Sequence, residues 1–330
     1  MKHLSLHLRK SQSHRKAQTL HHHPPGGWRA YAAAMLTVIL WASAFPGIRA
    51  ALPHYTPFHV ALLRYATASI VLAVYALFTH MRLPHWRDLP RFAVLGLVGI
   101  AYYNVALNGG EVRVPSAEAS FLVASAPIFM AAEALFLLKE RMRLWGWIGI
   151  AVSCAGITLI TVSQTTGFRV DAWALLVLSA AVAQSLYSIG QKSLLNRYSA
   201  FECTAYAIWI GTIVLLLFSP GLLTEIRLAP FSATGAAIYL GIFPGAVGYV
   251  SWAYALSRLA GSTAGSFLYL VPLVAIGIAW LWLGELPSLL VLWGGLLVLA
   301  GVILVNTHKQ RRATNEEKPF HGSRIQHEEG

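Results

Sequence analysis

No charged side chain occurs between Leu144 and Thr166, where the sequence reads LWGWIGIAVSCAGITLITVSQTT. A helix rises about 1.5 Å per residue, so about 20 apolar residues cross the hydrocarbon core of a bilayer. Comparable apolar runs recur along the chain. They are continuous and long, whereas the strands of a membrane barrel alternate apolar and polar residues over about ten positions. The run therefore predicts a membrane-spanning helix.

The composition of the whole chain favours the same class of protein. Of 330 residues, 56% are hydrophobic and 12% are charged, whereas soluble domains carry about 25% charged residues. We therefore predict an all-α membrane protein with ten transmembrane helices. The predicted spans are Tyr31–Leu52, Pro57–Phe78, Leu89–Leu107, Ala117–Leu138, Leu144–Ser163, Ala172–Gly190, Phe201–Pro220, Ala233–Ala255, Thr263–Leu283 and Leu289–Val305.

Basic residues are distributed unevenly between the two sets of alternate connections. Of the 25 Lys and Arg, 20 lie in the tails and in the connections on their side, and 4 lie on the opposite side. Cytoplasmic loops carry the excess of Lys and Arg. This bias predicts a multi-pass protein of the plasma membrane (the bacterial inner membrane) with both termini in the cytoplasm. The net charge of +12 is then explained by basic cytoplasmic segments that interact with anionic lipid, and no nucleic-acid partner is expected.

The two ends of the chain are polar. Residues 1–29 are rich in Ser, His, Lys and Arg, which is typical of a disordered tail and does not resemble a secretory signal. Residues 307–330 form a second polar segment. Both are predicted to be cytoplasmic tails.

An internal repeat appears when the chain is shifted by 145 residues. Pro127 then falls on Pro272 and Glu140 on Glu285, among other matches between about Leu95 and Ile160. The predicted halves are residues 30–165 and 166–306. Each holds five helices, an odd number, so the second half enters the membrane inverted. Inverted repeats of this kind are typical of alternating-access transporters.

Several motifs are similar to those of the EamA-like family of the drug/metabolite transporter superfamily. The resemblance covers about residues 31 to 306, and the order, spacing and duplication of the motifs make it specific. The motifs are Leu40-Trp41-Ala42-Ser43-Ala44-Phe45, Arg64-Tyr65, Phe121 to Arg141 with its ending Leu138-Lys139-Glu140-Arg141, Gly248 to Leu256, and Phe267 to Glu285.

The resemblance implies ten helices, a central cavity lined by both halves, and secondary transport, often export, of amino acids or other metabolites. Lys139 departs from the family pattern, which usually has Gly there. Asn104, Asn108 and Glu133 are unusual for the family and are candidates for contacts with this protein's own substrate.

Polar side chains inside hydrocarbon cost free energy, so each indicates a function or a partner. Arg64 lies about 10 Å along its helix from Pro57. It either extends to the headgroups or faces the cavity, where it attracts a substrate carboxylate or pairs with Glu118. Glu133 is the candidate for proton coupling, with a neutral or ion-paired interfacial glutamate as the alternative. The candidates for the cavity are Trp41, Arg64, Asn104, Asn108, Gln184, Tyr187, Tyr249, Trp252 and Tyr269, and the candidate hinges are Pro46, Pro127, Pro244 and Pro272.

No catalytic, cofactor-binding or metal-binding motif appears in the sequence. The expected partners are a small-molecule substrate, the lipid bilayer and, as coupling ion, protons. A membrane-embedded enzyme or lipid-modifying protein is the alternative, and it would need clustered His, Asp or Glu on one face. A channel would need rings of charge around a pore.

Overall fold

The computed structural model of the protein describes residues 27–79, 81–130, 133, 144–163, 171–259 and 261–316. Within these residues the chain is helical and contains no strand. Among the described residues, seven helices are long and apolar enough to cross a membrane, and three further helices have shorter apolar stretches, at Ser116–Met130, Leu144–Ile160 and Leu289–Leu304. They are α1 (Trp28–Ala51), α2 (Pro57–Leu77), α3 (Trp86–Glu111), α4 (Ser116–Met130), α5 (Leu144–Ser163), α6 (Ala172–Leu194), α7 (Ala200–Phe218), α8 (Phe231–Arg258), α9 (Thr263–Leu283) and α10 (Leu289–Glu316).

Each of these helices overlaps a predicted span, and an all-helical membrane protein is confirmed over the described residues. That all ten cross the bilayer stays a prediction. The predicted tail up to residue 26, Lys139, Glu140, Arg141 and the segment from residue 317 onward lie outside the described residues.

The helix ends follow from local capping. Thr56 accepts a hydrogen bond from the His59 backbone N–H (3.3 Å) just before α2, and Pro57 takes the first turn, where no N–H is needed. At the start of α7, Ser199 and Glu202 form a reciprocal capping box. Four helices run past their predicted ends, including α6, which continues beyond Gly190 to Leu194, and α8, which continues beyond Ala255 to Arg258. α3 continues beyond Leu107 to Glu111, and α10 continues beyond Val305 to Glu316.

The same irregularities occur at matching places in the repeat. α3 contains a π-helical stretch at Leu95–Tyr102, and α8 contains one at Gly241–Gly248, which includes Pro244. In α9, a 3₁₀ turn at Leu268–Leu270 precedes Pro272. α4 has a turn just before Pro127. Three of the candidate hinges therefore lie where regular α-helix is interrupted, whereas Pro46 lies within the continuous helix α1.

Helices α5 and α10 are packed with their backbones close together. A methyl group added at Gly301 would overlap Ser153 Oγ and the Gly149 carbonyl oxygen. The Ser153 hydroxyl donates to the Val298 carbonyl oxygen across the same contact (3.1 Å). Small residues permit such an approach between membrane helices.

Polar side chains gather at the two opposite ends of the bundle. At the first, which we call the Arg49 end, the Arg49 guanidinium on α1 donates to Glu285 Oε1 after α9 (3.2 Å). Its Nη1 also donates to the Glu111 carbonyl oxygen at the end of α3 (2.9 Å). Glu285 Oε2 accepts the backbone N–H of Ser116, at the start of α4 (3.3 Å). Four helix ends are thus joined through one ion pair.

At the second, the Asp88 end, buried Asp88 lies in the first turn of α3. It accepts hydrogen bonds from Arg197 (2.8 Å) and from the Tyr198 hydroxyl (2.9 Å), both between α6 and α7. Burial raises the pKa of Tyr198, which keeps this hydroxyl protonated as the donor. Glu202 of α7 accepts the backbone N–H of Arg82 (2.9 Å). This end also joins elements that are distant in the sequence.

Candidate substrate cavity

A cavity of about 80 Å³ lies between the helices. A cavity needs only about 10–15 Å³ to hold one water molecule, so this space has room for a ligand larger than a single water. Seven helices contribute to its wall: α1 to α4, α6, α8 and α9. The lining residues are Trp41, Ala44, Phe45, Arg64, Tyr103, Leu107, Ser120, Val123, Ala124, Ala126, Pro127, Gln184, Tyr249, Leu268, Tyr269 and Val271.

Arg64 brings the positive charge to this wall. Its side chain lines the cavity and is 2% exposed, so it does not extend to the end of its helix. Nη1 donates to Asn104 Oδ1 at 3.0 Å, and Nε has no hydrogen-bond partner among the described residues. A guanidinium offers several N–H donors in a planar fork that matches a carboxylate. The geometry therefore leaves donor capacity beside the cavity.

Asn104 holds the arginine in place through a short network. The Asn104 amide donates to the Tyr65 hydroxyl (2.9 Å) and to the Ile100 carbonyl oxygen (2.8 Å). Tyr65 in turn donates to the hydroxyl of Tyr249 (3.3 Å). These contacts link α2, α3 and α8. Asn104 is thus a positioning residue behind the wall.

An aromatic cluster forms the side of the cavity that α1 and α8 share. The Trp41 ring meets Tyr249 edge-on (5.2 Å between centroids) and lies 5.5 Å from Trp252. Tyr187 packs edge-on against Tyr249 from the other side (5.9 Å). Trp41 and Tyr249 reach the cavity itself, whereas Trp252 and Tyr187 support them from behind.

The remaining candidates divide between the cavity and other places. Gln184 and Tyr269 line the cavity, as does the candidate hinge Pro127. Asn108 does not, and its amide donates to the Pro57 carbonyl oxygen near the Arg49 end (3.0 Å).

Glu133 is the one residue that the structure describes between the end of α4 at Met130 and the start of α5 at Leu144. It is half-buried, and its Oε1 accepts a hydrogen bond from the Ser185 hydroxyl of α6 at 2.5 Å. Oε2 is buried and has no hydrogen-bond partner among the described residues. Glu133 is not among the residues that line the cavity, and its partner Ser185 follows the lining residue Gln184 in the sequence.

Sequence reasoning missed three polar side chains of this region. Tyr103 and Ser120 line the cavity, and Glu111 is fully buried at the Arg49 end. The predicted end of α3 at Leu107 leaves Glu111 in the following connection. Its spacing of seven from Asn104 puts both on one face of a helix, and that signal was present in the sequence.

Among the described residues, no group of three or more His, Cys, Asp or Glu side chains is arranged to hold a metal ion.

Comparisons with known proteins point to one function class. A model described as the EamA-like transporter family matches residues 28–162 and 171–307. A "Probable terminal-alkyne amino-acid exporter" of Streptantibioticus cattleyicolor is 43% identical over 293 residues, which is 88% of this chain and 98% of that protein. The "Uncharacterized transporter YdfC" of Bacillus subtilis is 40% identical, covering 81% of this chain and 87% of that one. A solved crystal structure shares the fold with a TM-score of 0.59 at 20% identity, over 86% of this chain and 98% of the other.

Proposed function

Because this chain belongs to the EamA-like transporter family, we propose that it exports amino acids or related small metabolites by alternating access. It is a multi-pass membrane transporter, and its family and close relatives are transporters rather than enzymes. The proposal adds ten crossings in two inverted five-helix halves, residues 30–165 and 166–306. It also includes a location in the plasma membrane (the bacterial inner membrane), with both termini in the cytoplasm.

The observation that carries the substrate class is Arg64 in its aromatic cavity. A buried guanidinium with an unpaired Nε is costly unless a ligand supplies an acceptor. An α-carboxylate supplies two acceptors, while Trp41, Tyr249 and Tyr269 offer apolar and aromatic surface to a small side chain. The name of the relative from Streptantibioticus cattleyicolor refers to amino-acid export, which supports the same class.

The position of the cavity between two sets of end contacts supports the proposal of alternating access. The cavity wall is formed by helices of both proposed halves. Charged hydrogen bonds join the two proposed halves at the Arg49 end and at the Asp88 end. Export requires that one set opens while the other holds. Pro127, Pro244 and Pro272 lie at interrupted helical segments near the cavity, where bending costs least.

Protons are the proposed coupling ion, and Glu133 is the proposed carrier. This role is supported by the half-buried carboxylate, which accepts a hydrogen bond from Ser185 (2.5 Å), the residue next to the cavity-lining Gln184. A single carboxyl group that faces alternate sides during the cycle is sufficient to carry one proton per substrate.

The first experiment identifies the substrate and then tests Arg64. Cells with and without the protein are grown on toxic amino-acid analogues, and the substrates that are found are assayed for efflux. We expect Arg64→Gln to raise KM for carboxylate substrates about 30-fold or more, because truncating a buried charge partner costs about 2 kcal/mol or more. Arg64→Lys retains the charge without the fork and should lie between the two.

Arg227→Gln is the matched control, because Arg227 is exposed on the short helix Leu222–Leu228. It should leave KM unchanged. Substrates whose carboxylate is replaced by an amide should have a higher KM in the parent protein than the acids have. Their KM should not change in Arg64→Gln. Equal transport of acids and amides by the parent protein would remove the basis for the substrate class.

A further inference from the structure

Glu111 is a buried acid that the proposed transport cycle does not use. It ends α3 at the Arg49 end, is 0% exposed, and neither carboxyl oxygen has a hydrogen-bond partner among the described residues. Most buried polar side-chain atoms in proteins are paired. An ionised carboxylate without donors is far more costly to bury than a protonated one.

A donor is nevertheless within reach. The Arg49 guanidinium already donates to the backbone carbonyl oxygens of Glu111 (2.9 Å) and Val112 (3.4 Å). The same guanidinium is committed to Glu285 on its other side (3.2 Å). Both partners of this ion pair keep about a quarter of their surface exposed, 27% and 26%. Arg49 therefore sits between two carboxylates, of which it pairs with one.

We propose that Glu111 is a proton-binding site that controls the Arg49 end of the cavity. With a proton bound, Glu111 is neutral, Arg49 stays on Glu285, and α1 remains tied to the end of α9. When the proton leaves to external water, the buried anion requires a donor and draws Arg49 away from Glu285. The contact between α1 and α9 is then lost, and this end opens.

The proposal rests on the proposed orientation, in which the Arg49 end faces the outside. The proton comes from external water and returns to it, so this site sets the fraction of open molecules. It adds no proton to those carried through Glu133. External acid should close this end, and external alkali should open it.

Other ionisable groups surround Glu111, so the experiment must distinguish their contribution to the pH dependence from that of Glu111. Arg49, Arg64 and Glu285 act on it electrostatically, and Tyr103 lies on the same helix. The helices packed on this end of α3 and the adjoining loop also carry His59, Glu118, Asp171 and Arg113. Glu118 is the most informative comparison, because it is a second buried glutamate, 4% exposed, on the neighbouring helix α4.

The test measures how fast a thiol in the cavity reacts with a membrane-impermeant reagent added outside. Cys154 and Cys203 are replaced by Ala, and Ser120→Cys supplies the reporter, because Ser120 lines the cavity and is 1% exposed. Thiolate formation itself rises with pH. Rates are therefore divided by those of Ser232→Cys, an exposed position near the same end.

We expect the normalised rate to rise about fivefold or more between pH 6 and pH 8, since one proton site changes an equilibrium by at most about tenfold per pH unit. Glu111→Gln should be slow and independent of pH, and Glu111→Asp and Glu118→Gln should keep the slope. Arg49→Gln should react rapidly at every pH. A flat profile in the parent protein, or a full slope in Glu111→Gln, would overturn the proposal.

This measurement needs no substrate. A pH-dependent rate in a protein that exports nothing would leave the proton site standing and refute the proposed export. Normal export with a pH-independent rate would do the reverse.

Discussion

If Glu133 carries the coupled proton as proposed, its replacement by Gln should separate proton coupling from substrate movement. The glutamine has nearly the same volume, and its amide oxygen can still accept the Ser185 hydroxyl that Glu133 Oε1 accepts at 2.5 Å. The change turns a charge-assisted hydrogen bond into a neutral one and costs about 1 kcal/mol. The variant should therefore fold and reach the membrane. What it loses is the ability to bind and release a proton.

The size of the effect follows from the stoichiometry. One proton moving down a gradient of one pH unit supplies about 1.36 kcal/mol, which supports a substrate gradient of about tenfold. In liposomes without membrane potential, the parent protein should build a gradient close to this limit. In Glu133→Gln, the ratio of substrate concentrations across the membrane should stay near unity. Exchange of labelled for unlabelled substrate should stay within about twofold of the parent, because exchange needs the conformational change but no net proton movement.

Ser185→Ala is the control, because it removes the hydrogen-bond donor to Glu133 and leaves the acid itself in place. It should reduce the gradient less than Glu133→Gln does. A full tenfold gradient in Glu133→Gln would show that the carrier is another group. A parallel loss of gradient and exchange in well-folded protein would give Glu133 a structural role.

Three further predictions concern topology, the N-terminal tail and packing. A reporter active only outside the cytoplasm should work after Thr166 and be silent after Arg143, and the opposite pattern would invert the proposed orientation. Deletion of residues 1–25 should leave export per membrane-inserted molecule unchanged, and a loss of export at normal membrane levels would contradict this. Gly301→Ala should lower the melting temperature in detergent, since overpacking costs about 1–3 kcal/mol. Gly235→Ala, which meets nothing within 4 Å, should not lower it.

The helices could be predicted from sequence because a bilayer leaves few alternatives for long apolar runs. The ends were less predictable, since polar residues can continue a helix as well as terminate it. α3 shows this, because Asn108 and Glu111 extend it beyond the predicted end at Leu107. The irregular stretches in α3 and α8 follow no local rule apart from Pro244, although they recur at matching positions of the repeat.

The sequence predicts several residues that line the cavity, but it does not predict the contacts between them. Trp41, Arg64, Gln184, Tyr249 and Tyr269 were selected as polar or aromatic groups inside apolar spans, and all five line it. The partners could not be predicted, because they depend on how distant helices pack. Arg64 meets Asn104 from another helix, 40 residues away. Tyr65 meets Tyr249 from the other half, 184 residues away.

One face of α3 shows how position along a helix determines what a polar group does. Asn104, Asn108 and Glu111 share that face by their spacing of four and three residues. Asn104, near the middle, pairs with Arg64 and positions it beside the cavity (3.0 Å). Asn108 binds the Pro57 carbonyl oxygen and ties α3 to the start of α2. Glu111, at the end, is left without a hydrogen bond beside the Arg49–Glu285 pair. One polar stripe on the regular α-helical segment Tyr103–Glu111 thus connects the partner of the proposed binding group to the proposed gate.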